Sequence, residues 1–145
     1  MYLNESMTML DLNTGELIGN ITKGQKKTLV GPDRITAIKL LTRRKSTVIA
    51  IHNHLENYSF SLTDIVYFNR IKQINTMILL TDNYKYYLKS NNTNKYKTEY
   101  ITKTYKNIEK DIKSKYNNLN NIEKRDLTNQ KFFKKVGWIY EKEKN

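Results

Sequence analysis

His52 and His54 are the only histidines in the chain, and they stand one residue apart at the end of the apolar run Val48-Ile49-Ala50-Ile51. Such a run suits a β-strand, and alternate side chains of a strand share a face. The two imidazoles therefore offer nitrogen ligands to one metal ion. Downstream, Ser61-Leu62-Thr63-Asp64 opens a segment of helical periodicity. Asp64, in the first turn of that helix, is the candidate third ligand. A catalytic zinc site has three protein ligands and leaves a fourth position to water, whose pKa it lowers to about 7. His52, His54 and Asp64 match that requirement for one Zn2+ ion. Ser61 is a candidate donor to the oxygen that gains charge at a reacting carbonyl. The carboxylate that moves the water's proton must come from outside the motif. Ser61 and Asp64 also have a structural reading as an N-cap and its N3 partner, a capping box. The two duties coexist when Asp64 turns toward the histidines.

The elements that must position these groups can be read from periodicity and turn chemistry. Residues 6–22 read as a hairpin around Asn13-Thr14-Gly15-Glu16, with Leu17 to Ile21 as the returning strand. Gly31-Pro32-Asp33 starts a helix whose predicted apolar stripe is Ile35, Ile38 and Leu41, with Leu40 beside it. Val48 to His52 reads as a central strand, buried on both faces. Ile65, Phe68, Ile71 and Ile74 continue the face of the helix capped by Ser61. Met77 to Leu80 and Tyr84 to Leu88 are two further strands, turning at Asp82-Asn83. Residues 91–97 are a polar linker. Ile101, Tyr105, Ile108, Ile112 and Tyr116 then mark an amphipathic helix. A second helix runs from about Ile122 to Val136 and stops before Gly137, with Trp138-Ile139-Tyr140 as a terminal apolar anchor. The expected architecture is α/β (α+β): a central mixed sheet flanked by helices over residues 1–90, and a basic helical extension, 98–145, packing on that core.

Composition bounds the function. The chain has 145 residues, the scale of one domain. It has no cysteine, which excludes disulfides, thiolate metal sites and cysteine nucleophiles. No run is long enough to cross a bilayer, and the N-terminus lacks the pattern of a secretory signal, so the expected compartment is the cytoplasm. The net charge of +12 admits nucleic acid or an acidic protein as partner. Lysine-, asparagine-, isoleucine- and tyrosine-rich composition of this kind also follows from AT-rich coding. His52-Asn53-His54 is not the signature of an HNH nuclease. That motif spreads its residues over a hairpin and a helix, whereas here Asn53 points to the opposite face of the strand.

Taken with the order of elements, Ile51-His52-Asn53-His54 and Ser61-Leu62-Thr63-Asp64 resemble the signature of the JAB/MPN (JAMM) metalloprotease superfamily, including its RadC-like branch. The resemblance spans roughly residues 4–89. It implies a JAB/MPN-like sheet, zinc on His52, His54 and Asp64, and Ser61 assisting the transition state. It also implies a glutamate base just before the first core strand, the place of Glu5. Glu16, in the hairpin turn, is the weaker candidate. Leu55 stands where the family usually has proline, and the loop to Ser61 is one residue shorter than its common form. This shortened version, and the ending Phe132 to Tyr140, are similar to C-terminal domains of phage minor head proteins and toxin-like bacterial proteins. The expected activity is zinc-dependent hydrolysis of a peptide or isopeptide bond in a protein or peptide substrate. The alternatives are a non-catalytic phage-derived binding module, or a toxin-like domain that meets nucleic acid through its basic surface.

Overall fold

The structure is a computed structural model and describes residues 4–24, 31–90 and 96–145. The elements run β1 (Ser6–Asp11), β2 (Thr22–Lys23), α1 (Arg34–Leu41), β3 (Val48–Asn53), α2 (Leu62–Arg70), β4 (Ile74–Leu80), β5 (Tyr84–Lys89), α3 (Thr98–Lys115), α4 (Asn121–Val136) and β6 (Ile139–Lys144). The strands form one six-stranded mixed sheet in the order β2-β1-β3-β4-β5-β6. β3 and β4 run parallel, and the other neighbours are antiparallel. A parallel pair needs a crossover connection, and α2 supplies it. This fold is the mixed α+β class expected from the sequence. No helix among the described residues is long and apolar enough to cross a membrane.

β3 lies at the centre, flanked by β1 and β4, which is why its apolar run is nearly continuous. Val48, Ala50 and His52 point into the core from one face. Beneath them pack Ile65 and Phe68 of α2, and beyond these Ile101 and Tyr105 of α3 with Phe132 and Phe133 of α4. α4 closes on Gly137, whose φ of 74° gives the left-handed cap that ends a helix. The chain then returns as β6, paired with β5 from Tyr84↔Lys144 to Lys89↔Ile139. The last third thus enters the fold as two helices and an edge strand of the same sheet.

Four expectations need adjustment. The returning arm of the first hairpin is reduced to a bridge at Leu10↔Leu17 and the two residues of β2. The stripe of α1 faces outward: Ile35, Ile38 and Leu41 are 55%, 56% and 69% exposed, while Thr36 and Leu40 are buried. That helix is apolar around much of its circumference, so a tertiary contact chooses its face. The contact is with Gly19 (φ 72°), where any Cβ would collide with the Thr36 backbone. Thr36 Oγ1 also accepts the Asn20 N–H at 2.8 Å. Ile74 belongs to β4 and not to α2, which ends at Arg70. Finally, Trp138 is a buried anchor, but Ile139 and Tyr140 begin a strand. Most of the predicted linker, 91–95, lies outside the described residues.

Candidate metal centre

β3 delivers His52 at its buried face, and pairing with β4 continues one step past the strand through the His54 N–H to Leu80 carbonyl bond at 3.0 Å. That extra step keeps His54 in strand register, so both rings turn to the same side; their centroids are 5.0 Å apart. α2 brings Asp64 to meet them. Its Oδ1 lies 3.8 Å from His52 Nε2, and its Oδ2 lies 3.3 Å from His54 Nε2. The three residues form the one group of ligating side chains, among the described residues, whose donor atoms all fall within 4.8 Å of one another. With metal–ligand bonds of 2.0–2.2 Å, tetrahedral geometry separates ligand atoms by roughly 3.4 Å. Asp64 approaches that value toward each imidazole, through a different carboxylate oxygen on each side. The buried His52–His54–Asp64 group has the composition and spacing to hold a metal ion.

The hydrogen bonds around the group point the same way. His54 Nδ1 is 3.0 Å from the Tyr58 carbonyl, an acceptor, so Nδ1 carries a proton. In the neutral ring Nε2 is then a bare lone pair facing a carboxylate oxygen. Only a proton or a cation between them relieves that opposition. A backbone carbonyl on the second nitrogen is the usual way a ligating histidine has its tautomer set. His52 Nε2 is buried and has no hydrogen-bond partner. Such an orphan is costly in a core, on the order of 1–3 kcal/mol, unless something binds it. One other described side-chain atom shares this condition, Tyr67 Oη, which lies on α2 beside Arg70 and Ile71 and does not line the cleft over the ligands.

Charge follows the same pattern. Burial pushes Asp64 upward, but the two histidines and the Ser61 N–H outweigh it and hold its carboxyl well below the usual range. Burial alone would lower His54; its contact with the Asp64 charge more than compensates and raises it above 6.5. Burial dominates at His52 and holds it below 6.5. The corner thus keeps an ionised carboxylate between His52, which burial holds neutral, and His54, whose charged form that carboxylate stabilises.

Ser61 and Asp64 form the expected capping box: the Ser61 N–H and Oγ donate to Asp64 Oδ2 at 2.7 and 2.8 Å, and Asp64 N–H donates back to Ser61 Oγ at 3.1 Å. Capping and facing the histidines coexist in one rotamer, because each carboxylate oxygen has capacity for more than one partner. Glu5 comes from β1's leading end and shares a cleft with His54, Leu55, Tyr58, Ser61 and Arg125. Burial raises its pKa, partly offset by the charge of His54. Glu16 sits past the other end of β1, in the exposed hairpin turn, and does not line this cleft.

Two supports were not apparent from the sequence. Asn53, on the opposite face of β3, accepts the Ser6 N–H at 2.6 Å and donates to the Asn4 carbonyl at 3.0 Å, which pins the backbone on both sides of Glu5. Asn129 of α4 donates to Ser59 Oγ and the Phe60 carbonyl, both at 2.9 Å, immediately before Ser61. The middle residue of the motif could have been suspected from its place on β3. Nothing local marks Asn129. No family model, curated protein or solved structure matches the chain.

Proposed function

We propose that the protein is a zinc-dependent hydrolase of amide bonds, peptide or isopeptide, with a JAMM-type site. The observation that carries this reading is the convergence of three ligand atoms within 4.8 Å of one another, beside a cleft lined by His54, Glu5 and Ser61. Two imidazoles and a carboxylate, with His54 on the wall of the cleft, fit the ligand preferences of catalytic zinc. Bound there, zinc supplies Lewis acidity and brings water near deprotonation at neutral pH. Glu5 accepts the water's proton and returns it to the leaving amine; its raised pKa makes it a stronger base than an exposed glutamate. Ser61 turns its hydroxyl proton to the developing oxyanion while its oxygen still accepts the Asp64 N–H. The order of elements around the motif supports the resemblance on which the reaction class rests.

Metal analysis and calorimetric titration of the chelator-treated protein test the reading. One zinc ion should bind per chain, and His54→Ala should abolish the binding. Glu5→Gln should retain zinc and lose cleavage of a proteome-derived peptide library. A folded wild-type protein that takes up no zinc sinks the proposal.

A further inference from the structure

The cleft beside the ligands adjoins a second cavity of about 250 Å³, and Tyr58 and Arg125 are walls of both. The far cavity lies between α3 and the first turns of α4. Its charged walls are Lys113, Lys124, Arg125 and Glu109, three cations against one carboxylate. Glu109 is already engaged, with Lys113 Nζ at 3.5 Å one helical turn away. Lys124 and Arg125 form no ion pair with any described carboxylate. The Arg125 guanidinium is instead held 5.2 Å over the Tyr58 ring, at the junction of the two cavities. Stacking on an aromatic face leaves the edge of a guanidinium free to grip a carboxylate with two parallel bonds. Both cations are half-buried, so solvent screens them less than it screens the lysines of the outer helix faces.

We propose that this basic cavity is a subsite that receives a carboxylate next to the scissile amide. On the metallohydrolase reading, from which this follows, the substrate class is a peptide or isopeptide bearing an acidic side chain or a free C-terminus beside the cleaved bond. Size and charge favour that ligand over nucleic acid. The cavity is smaller than the roughly 300 Å³ at which pockets begin to enclose a drug-sized ligand. It takes one side chain or chain end, and the adjoining cleft carries Glu5 and Glu56, which repel a continuous run of phosphates.

The test uses three fluorescein-labelled peptides on one glycine–serine background: internal glutamates with an amidated end, glutamines with an amidated end, and glutamines with a free C-terminus. Fluorescence anisotropy is read on the full chain, zinc-loaded and chelator-treated, with metal content measured on the same samples. At least one carboxylate-bearing peptide should bind about tenfold tighter than the neutral one, the worth of one charge-assisted hydrogen bond. Which of the two does so distinguishes a side chain from a chain end. Lys124→Gln/Arg125→Gln should reduce the preference to within about twofold. Lys134→Gln/Lys135→Gln, an equal charge change on exposed residues of the same helix, should leave it intact. Glu109→Gln, which releases Lys113, should increase it. Equal affinity for all three peptides overturns the subsite. So does an equal loss in the two double variants, or tighter binding of a labelled single-stranded oligonucleotide through the same two cations. Loss of the preference with zinc uptake intact removes the subsite alone. Absence of zinc with the preference intact removes the hydrolase reading and leaves a carboxylate pocket that is not a substrate subsite.

Discussion

Two buried polar clusters flank Phe60, and they are completed in different ways. On the tail side, Tyr140 Oη meets Ser59 Oγ at 2.6 Å and Asp126 Oδ1 at 2.7 Å, and Lys142 closes on Asp126 Oδ2 at 2.9 Å. Asn129 joins Ser59, Phe60 and the Tyr105 hydroxyl. Every group named there has its partner, and the negative charge has its cation. On the motif side, His52 Nε2 has no partner and Asp64 faces two imidazoles. The first cluster is structure: it clamps the tail to residues 59–60. The second is arranged around a place where a cation belongs. The contrast teaches that burial and polarity alone do not mark a site; incompleteness does.

The largest effect is expected at Asp64. Asp64→Ala should weaken zinc binding by more than about 100-fold, beyond the 10–100-fold typical of residues that only orient ligands. A competition titration against a chelator measures it. Asn129→Ala should act on stability and leave zinc binding in place. It leaves buried partners unsatisfied and should lower unfolding stability by about 2–3 kcal/mol in urea melts, while one zinc per chain is retained. Loss of zinc in that variant would show that the two clusters are one unit.

His52→Leu sharpens the contrast further. It removes an unpaired buried nitrogen at similar volume, so the metal-free protein should be at least as stable as the metal-free wild type. The added stability that zinc gives the wild type should vanish, which thermal melts with and without the ion would read.

Acidity gives a smaller, graded effect. Zinc needs His54 unprotonated, and His54 has a pKa above 6.5, so affinity should begin to fall as pH drops through that raised value. The carboxylate works in the same direction only in stronger acid. Asp64 is depressed, so its stabilisation is present above the ordinary value of 3.8 and is lost as pH falls from there toward its folded pKa. Titrations across pH that show zinc affinity constant from neutrality to well below 6.5 would contradict the His54 assignment. The smallest effect should come from Lys142→Ala. This rim cation, 32% exposed, should contribute about 1 kcal/mol or less.

Legibility in the sequence tracked the range of the interaction. The Ser61–Asp64 capping box and the α4 stop at Gly137 are encoded within a few residues, and both have the geometry expected of them. The α3 stripe has local periodicity, and Ile101, Tyr105 and Ile112 are buried along it. The face of α1 escaped because its apolar residues offered several faces and a distant glycine selected one. β6 escaped because Ile-Tyr-Glu-Lys-Glu-Lys has the composition of a solvated tail. An edge strand dressed with charge looks the same until its partner is known.

Two imidazoles on one strand face and a carboxylate at the head of the following helix are written in the chain itself, because a two-residue repeat and a helix cap are local geometry. Their meeting depends on long-range packing. The parallel β3–β4 pairing and its α2 crossover bring Asp64 back over the histidines. Partners far along the chain hold the surroundings: Asn53 is bound to Ser6 across 47 positions and Asn129 to Phe60 across 69. Such bonds carry no periodic signal, since their energy comes from burial that exists only once the sheet has closed.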